Sequence, residues 1–118
     1  MNKTGEYRFT IVVPVYNEVD NIYALEKALS EFLPKSKYKA CALFVNDGSS
    51  DGSLERIQEV CARNNDFHYI SFVKNAGLSA AIKAGFDYTF SDYVGYMDAD
   101  LQTTPEDFNL LLDGIESH

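Results

Sequence analysis

The chain has 118 residues, of which 46% are hydrophobic and 24% charged, a composition typical of one globular domain that buries a core. Ten lysines and arginines against 18 acids give a formal net charge of -8, which repels nucleic acid and anionic membrane surfaces. No apolar run approaches the roughly 20 residues that span a bilayer. Residues 1–8 also lack the apolar region of a signal peptide. The composition therefore excludes nucleic acid as the main partner and predicts a cytoplasmic chain.

Four short apolar runs alternate with four amphipathic segments along the chain. The runs are apolar at nearly every position, as in strands buried on both faces, and they cover residues 9–15, 40–45, 68–73 and 93–97. Apolar residues recur at helical spacing after each run: Ile22, Leu25, Leu29 and Phe32; Leu54, Ile57, Val60 and Cys61; Ile82, Gly85 and Phe86; and Phe108, Leu111, Leu112 and Ile115. Residues 104–107 carry an N-cap, a proline and acids, which predict the start of the fourth helix there.

Strands alternating with helices at this spacing predict right-handed βαβ units. The fold class is therefore α/β, with an open, mainly parallel sheet and helices on both faces. In such sheets ligands bind beyond the carboxyl ends of the strands. We expect strand one to lie next to strand four, because Tyr16 and Asp98 follow these strands and would then share one crevice.

Polar residues follow all four predicted strands. They are Pro14, Tyr16, Asn17 and Glu18; Asn46, Asp47, Gly48, Ser49, Ser50 and Asp51; Lys74, Asn75 and Gly77; and Asp98, Ala99, Asp100 and Gln102. Ordinary turns use the same residue types. Turn chemistry and ligand binding explain Asp47 equally well, and Asp51 and Ser53 are interpreted as caps of helix two.

Asp98 and Asp100 place two like charges close together at the end of a buried strand, so a cation is expected to compensate them. Their carboxylates and the amide of Gln102 suit Mg or Mn. A cation there suits a diphosphate, and hence a nucleotide whose base could stack on Tyr16. Asn46 or Asp47 could hydrogen-bond the edge of the base. The sequence contains neither a P-loop nor a dinucleotide-binding glycine motif.

Four ordered motifs carry a family resemblance. They are VVPVYNE at 12–18, VNDGSSDGS at 45–53, KNAGLSAA at 74–81 and MDADLQTTPE at 97–106. Together they resemble the family 2 inverting glycosyltransferases, which have the A-type glycosyltransferase fold with a Rossmann-like nucleotide-binding half. The last motif is most similar to the branch that transfers hexoses to dolichyl or undecaprenyl phosphate. Leu78 stands where that branch often has a lysine, and Asn46 where the family often has an acid.

The resemblance implies a metal-dependent, inverting transfer of a sugar from a nucleoside-diphosphate sugar to a polyprenyl phosphate or glycan acceptor. It implies that the metal ligands are Asp98, Asp100 and Gln102, and that the nucleotide sugar is bound by Pro14, Tyr16, Glu18, Asn46, Asp47, Lys74 and Asp98. Residues 1–118 would be the nucleotide-sugar-binding N-terminal part of a longer enzyme at the inner face of the membrane. The general base and any membrane association are then expected outside this chain.

Three other classes of protein would also place acidic or nucleotide-binding residues at the edge of such a sheet. A nucleotidyltransferase normally has a basic, glycine-rich loop after strand one, whereas residues 16–18 are acidic. A receiver or phosphatase domain places its acids after the first strand, whereas here the acid pair follows the fourth. A non-catalytic sugar-nucleotide-binding module stays open. Cys41 and Cys61 are interpreted as buried, reduced thiols, since no second thiol lies near either in sequence, and His68, which opens a strand, as a structural residue.

Overall fold

The protein is described here by a computed structural model that covers residues 7–89 and 91–100. The strands in this part of the chain are β1 (Phe9–Val15), β2 (Ala40–Asp47), β3 (Phe67–Phe72) and β4 (Tyr93–Tyr96), and the α-helices are α1 (Ile22–Phe32), α2 (Ser53–Ala62) and α3 (Leu78–Tyr88). Two short 3-10 helices, Val19–Asn21 and Leu33–Lys35, flank α1. The fourth helix predicted from the sequence lies outside the described residues.

The four described strands form one parallel sheet in the order β3-β2-β1-β4. Phe9, the first residue of β1, pairs with Ala40 on one side and with Tyr93 on the other. The predicted parallel sheet and the predicted contact between strands one and four are both confirmed. The carboxyl ends of β1 and β4 are therefore neighbours, which brings the segments after them to one edge of the sheet.

Helices cover both faces of the sheet. On one face, Ile11 and Val13 of β1 pack in a buried cluster with Leu25 of α1 and Ile57 of α2. On the other face, a smaller cluster is built around Val12, Val45 and Ala81, the last of which belongs to α3. Adjacent residues of β1 thus point to opposite helical layers, as the alternation of side chains along a strand requires. The predicted fold class is confirmed.

The central strands are more deeply buried than the outer ones. Every residue of β1 and β2 is buried, whereas β3 has one buried residue and β4 has none. The prediction that all four strands are buried on both faces is therefore wrong for β3 and β4. These two are the outer strands of the described sheet, and α3 contacts mainly the two central strands.

Strand β2 is two residues longer than the sequence predicts. Asn46 pairs with Val15 on one side and with Ser71 on the other, and Asp47 pairs with Phe72. Neighbouring strands on both sides thus extend the ladder through two residues that are individually poor strand formers. As a result, Asn46 and Asp47 are buried strand residues instead of loop residues.

Helix α3 lies very close to the sheet. Its buried residues are Ala81 and Gly85, while Phe86, which the apolar spacing placed in the buried stripe, is 41% exposed. A Cβ added to Gly85 would lie 2.5 Å from a methyl carbon of Val12. Small residues let the helix approach this closely. The predicted buried stripe of Ile82, Gly85 and Phe86 is therefore confirmed at Gly85 and wrong at Phe86.

Both cysteines are free thiols. Cys41 is buried in β2, and desolvation raises its pKa from 9.0 to about 11. Cys61 is only half-buried, which corrects the prediction of a buried thiol, and desolvation raises its pKa to about 12. Both thiols are therefore protonated at neutral pH. His68 lies half-buried on β3, with its ring 5.9 Å from that of Tyr7. In the described part of the chain, every helix is too short or too polar to cross a membrane.

Candidate functional site

An acidic cavity of about 200 Å³ opens where β1 and β4 end. The described residues that line it are Pro14, Tyr16, Glu18, Leu78, Asp98, Ala99 and Asp100. Pro14 lies in β1, Tyr16 and Glu18 follow it, and Leu78 begins α3. The other three residues follow β4. The parallel pairing of β1 with β4 explains the arrangement, because it places both strand ends at the same edge of the sheet. Tyr16 and Asp98 share one crevice, as predicted.

An apolar cavity of about 190 Å³ adjoins the acidic one. Its described lining consists of Pro14, Val15, Tyr16, Asp47, Leu78 and Ala81. Pro14, Tyr16 and Leu78 line both cavities, so the two form adjacent compartments. Together they offer one mainly apolar space and one anionic space, side by side at the carboxyl end of the sheet.

Glu18, Asp98 and Asp100 make the cavity acidic, and Asp98 and Asp100 are its most accessible carboxylates. Both side chains are exposed, and between them Ala99 is only 6% exposed. Neither lysine nor arginine occurs among the described residues that line this cavity. Two accessible carboxylates without a lining cation fit a hard divalent ion, which commonly takes one or two protein carboxylates and completes its shell with water and phosphate oxygens.

The described residues contain no cluster of three or more His, Cys, Asp or Glu side chains that could hold a metal ion. Of the three predicted metal ligands, Asp98 and Asp100 line the cavity, and Gln102 lies outside the described residues. Such a pair suits an ion that reaches the site together with an anionic ligand, since few protein ligands hold it alone.

Tyr16 is the exposed aromatic residue of both cavities. It is 50% exposed and directly follows the last residue of β1. An exposed ring beside a cavity offers a flat apolar surface on which a nucleobase can stack. Glu18 lies nearby, half-buried, and its carboxylate accepts a hydrogen bond of 2.6 Å from the side-chain amide of Asn21.

The loop after β1 is held by the loop after β2. The backbone N–H of Asn17 donates to the hydroxyl of Ser49 at 3.0 Å, and the backbone N–H of Ser50 donates to the side-chain oxygen of Asn17 at 2.8 Å. Asn17 has a φ of 54°, a left-handed conformation that asparagine tolerates better than most residues. This reciprocal pair fixes the backbone on which Tyr16 is carried.

Asp51 and Ser53 continue the same connection. The hydroxyl of Ser53 donates to Asp51 at 2.6 Å and accepts the backbone N–H of Glu18 at 3.0 Å, while Asp51 accepts the N–H of Val19 at 3.2 Å. Desolvation acts to raise the pKa of Asp51, but the hydrogen bonds from Ser53 and Val19 together lower it. The N-cap of helix two is Gly52, so neither predicted residue holds that position, but Asp51 does accept the backbone N–H of Ser53, the first residue of the helix, at 3.0 Å.

The remaining predicted residues lie at or beyond the cavity walls. Asp47 lines the apolar cavity. Asn46 lines neither cavity; it is 1% exposed, and its amide donates to the hydroxyl of Ser71 at 3.0 Å. Lys74 is exposed after β3 and also lines neither cavity. The structure thus groups Pro14, Tyr16, Glu18, Asp98 and Asp100 around one cavity and leaves Asn46 and Lys74 outside it.

Leu78 is the main lining residue that sequence reasoning did not place in the site. It is the first residue of α3, follows the N-cap Gly77, and is 56% exposed. Its position just after a strand and a glycine could have suggested a residue at the ligand edge of the sheet. Its apolar side chain does not meet the criterion of a polar residue after a strand end.

An open parallel sheet with a paired apolar and acidic cavity beyond its strand ends is an arrangement typical of nucleotide-binding enzymes. The chain belongs to glycosyl transferase family 2, because the model of that family matches residues 10–118. The predicted family is therefore confirmed.

Relatives of this chain include an uncharacterized glycosyltransferase, YkcC, from Bacillus subtilis, which is 40% identical over 92% of this chain and 33% of its own length. The dolichol-phosphate mannosyltransferase of Saccharomyces cerevisiae is 32% identical over 93% of this chain and 42% of its own length. The chain thus spans about a third of the length of the first curated relatives it matches.

Among solved structures, the mannosyltransferase PcManGT from Pyrobaculum calidifontis, in complex with GDP-Man and Mn2+, superposes with a TM-score of 0.70. It is 22% identical, over 80% of this chain and 28% of that one. This likeness confirms the A-type glycosyltransferase fold.

Proposed function

We propose that this chain forms the donor-binding part of a metal-dependent, inverting glycosyltransferase that transfers a hexose from a nucleoside-diphosphate sugar to a polyprenyl phosphate. One observation carries the proposal: an apolar cavity and an acidic cavity meet at Pro14, Tyr16 and Leu78. A nucleotide sugar has the matching division, with a flat base at one end and a diphosphate that needs a cation at the other. Membership in glycosyl transferase family 2 supports the same reaction class.

The apolar cavity is the proposed site of the nucleobase. The half-exposed ring of Tyr16 supplies a stacking surface, and Leu78 and Ala81 supply apolar contacts from α3. Ribose and diphosphate would then extend past Pro14 and Glu18 into the acidic cavity. This direction brings the sugar end of the donor to Asp98 and Asp100, where the loop after β4 begins.

Asp98 and Asp100, with Gln102 beyond the described residues, are the proposed ligands of Mg or Mn. Their lining position and the lack of a lysine or arginine in the described wall of the cavity support this assignment. When bound, the ion would neutralise the diphosphate and stabilise it as a leaving group. Without a cation the carboxylates would repel the diphosphate, so donor binding is expected to require the metal.

The proposed reaction is a single displacement at the anomeric carbon of the donor sugar. An oxygen of the acceptor phosphate forms a bond to that carbon while the bond to the nucleoside diphosphate breaks, and the diphosphate takes the electron pair. Attack opposite to the leaving group inverts the anomeric configuration. The polyprenyl phosphate acceptor is proposed from the yeast relative, whose name gives dolichol phosphate as the substrate of that protein.

The stacking role of Tyr16 is tested by calorimetric titration with UDP and with GDP, in the presence and absence of Mn. Tyr16→Ala should weaken the Mn-dependent affinity for the preferred nucleotide about tenfold, because stacking of a base on an aromatic ring contributes about 1–3 kcal/mol. Tyr23→Ala is the matched control, since Tyr23 is 43% exposed against 50% for Tyr16 and lines neither cavity. Equal effects of the two substitutions, or no Mn-dependent binding of any nucleotide, would contradict the proposal.

Transfer is tested separately from binding. The full-length enzyme is incubated with nucleotide sugar, Mn and dolichyl phosphate, and release of nucleoside diphosphate is followed with and without the lipid. Release that depends on the lipid supports a transferase. Tight nucleotide-sugar binding without release would instead favour a non-catalytic binding module, and consumption of nucleoside triphosphate with sugar phosphate would favour a nucleotidyltransferase.

A further inference from the structure

The carboxylate of Asp47 binds three consecutive residues of the loop between β3 and α3. Its Oδ1 accepts the backbone N–H of Ala76 at 2.6 Å, and its Oδ2 accepts the backbone N–H of Gly77 at 3.0 Å. The side-chain amide of Asn75 also donates to Oδ2, at 2.9 Å. Asp47 is only 3% exposed, whereas Asn75 and Ala76 are exposed, so these bonds are partly shielded from water. Both oxygens of a buried carboxylate are thus committed to one short loop segment.

The backbone next to Asp47 packs directly on the same loop. Gly48 has a φ of 68°, and a Cβ placed on it would lie 2.3 Å from the backbone nitrogen of Asn75 and 2.5 Å from the carbonyl carbon of Lys74. Only glycine accommodates both the left-handed conformation and this approach. The two loops therefore meet backbone to backbone, which lets the short side chain of Asp47 reach three donors.

The loop that Asp47 binds determines where α3 begins. Gly77 is the N-cap of α3, and Leu78 is its first residue. Leu78 lines both the apolar and the acidic cavity. Displacement of residues 75–77 would therefore move a wall that both compartments share.

We propose that Asp47 is a positioning residue, which holds residues 75–77 and thereby fixes the Leu78 wall of both cavities. Its effect on nucleotide affinity is exerted through this loop instead of through a hydrogen bond to the base. The inference rests on the proposed function, because it takes the cavities to be the nucleotide site. A carboxylate suits the task, since it offers only acceptors to a set of N–H donors, whereas an amide offers one acceptor and one donor group.

Asp47→Asn tests the proposal with little change of volume. In either orientation of the new amide, its NH2 group faces the N–H of Ala76 or of Gly77, so one backbone donor of a part-buried bond loses its acceptor. We expect the Mn-dependent affinities for UDP and GDP to fall by the same factor, about tenfold, the size that loss of a buried hydrogen-bond partner produces. Hydrogen exchange at the amides of Ala76 and Gly77, measured by NMR, should become faster.

Two further variants separate this effect from changes in charge and folding. Asp87→Asn removes the same charge from an exposed position of α3, where Asp87 pairs with Lys83, and should leave affinity and exchange unchanged. Asn75→Ala removes only the side-chain donor and keeps both backbone bonds. Asn75 lines neither cavity, so an equal, smaller loss for UDP and GDP in this variant supports action through the loop, even if Asp47→Asn does not fold.

Loss of affinity for one nucleotide much more than for the other in Asp47→Asn would overturn the proposal, because it would show that Asp47 reads the base. Unchanged exchange at Ala76 and Gly77 would overturn it as well. If the wild-type protein binds neither UDP nor GDP with Mn, the proposed function fails. The exchange measurement still decides then whether Asp47 holds the loop.

Discussion

The packing of α3 on β1 can be tested at Gly85, the one glycine of that helix. Gly85→Ala adds a single methyl group, and its carbon would lie 2.5 Å and 3.0 Å from the two methyl carbons of Val12. Ordinary contacts between carbon atoms are about 3.5–4.0 Å, so helix and strand must separate by roughly 1 Å. Val12 is fully buried, and its branched side chain has few alternative rotamers with which to avoid the contact.

Two effects of opposite sign decide the result. Replacement of glycine by alanine in a helix interior stabilises by about 1 kcal/mol, and overpacking of a tight core destabilises by about 1–3 kcal/mol. We expect the contact to dominate in the wild-type background, where Gly85→Ala should lower the free energy of unfolding by about 1 kcal/mol. In a Val12→Ala background both methyl contacts are gone and only the Cβ of residue 12 stays close, at 3.3 Å, so the same substitution should raise that free energy by up to about 1 kcal/mol.

Urea unfolding followed by far-UV circular dichroism measures all four proteins of this cycle: wild type, Gly85→Ala, Val12→Ala and the double variant. A constant denaturant slope is needed to compare their free energies. The close packing of α3 on Val12 is refuted if Gly85→Ala stabilises the wild-type protein, or if its effect is the same in both backgrounds. Either result would mean that α3 lies farther from β1 than the contact with Val12 requires.

Three further expectations concern charged and ionisable groups. Asp100→Asn should abolish the Mn-dependent part of nucleotide affinity, because it removes one proposed metal ligand. The thermal midpoint of the metal-free protein should stay unchanged or rise slightly, because repulsion between like charges is relieved. A large fall in this midpoint would show instead that Asp100 is structural. Because desolvation raises the pKa of Cys41 from 9.0 to about 11, its contribution to stability is complete below pH 9 and is lost towards pH 11. The fall in unfolding free energy across this window should be smaller in Cys41→Ala, and equal slopes would contradict the assignment. Both oxygens of Glu26 accept hydrogen bonds of 2.6 Å from Arg63, which lowers the pKa of Glu26. Glu26→Gln should therefore cost about 1 kcal/mol at pH 7, allowing for the half-exposed Arg63, and this cost should shrink as the pH falls below 4.5; a cost that is independent of pH would argue against the ion pair.

The sequence predicts the architecture well because its apolar periodicity is strong. Strand β1 is found at its predicted bounds, and the contact between β1 and β4 follows from the need to bring Tyr16 and Asp98 together. Apolar periodicity predicts the end of a strand less well where pairing with neighbouring strands determines it. Strand β2 continues through Asn46, which pairs with β1 and β3, and through Asp47, which pairs with β3, and no local sequence pattern contains this cause.

The site is predictable to the extent that its residues are polar and follow strand ends. Glu18, Asp98 and Asp100 meet both conditions, and the structure places them in one cavity. Leu78 follows a strand end but is apolar, so only the structure shows that it lines both cavities. The partners of Asp47 were also beyond prediction, since they lie 28 to 30 residues away in the chain and belong to a different loop.

These long-range partners bear on whether the motif VNDGSSDGS serves turn chemistry or ligand binding. Ser49 binds the loop after β1 and thereby the segment of Tyr16, while Asp47 binds the loop after β3 and thereby the segment of Leu78. Both of these loops are thus attached to the carboxyl end of β2, one through Asp47 of the strand and the other through Ser49 of the following loop. This end lies between them because β2 has β1 on one side and β3 on the other in the sheet. Short polar side chains are needed for such bonds, since a longer side chain would hold the neighbouring backbone farther away. The same residues can therefore form a turn and shape a ligand site, and for this motif the two interpretations are not exclusive.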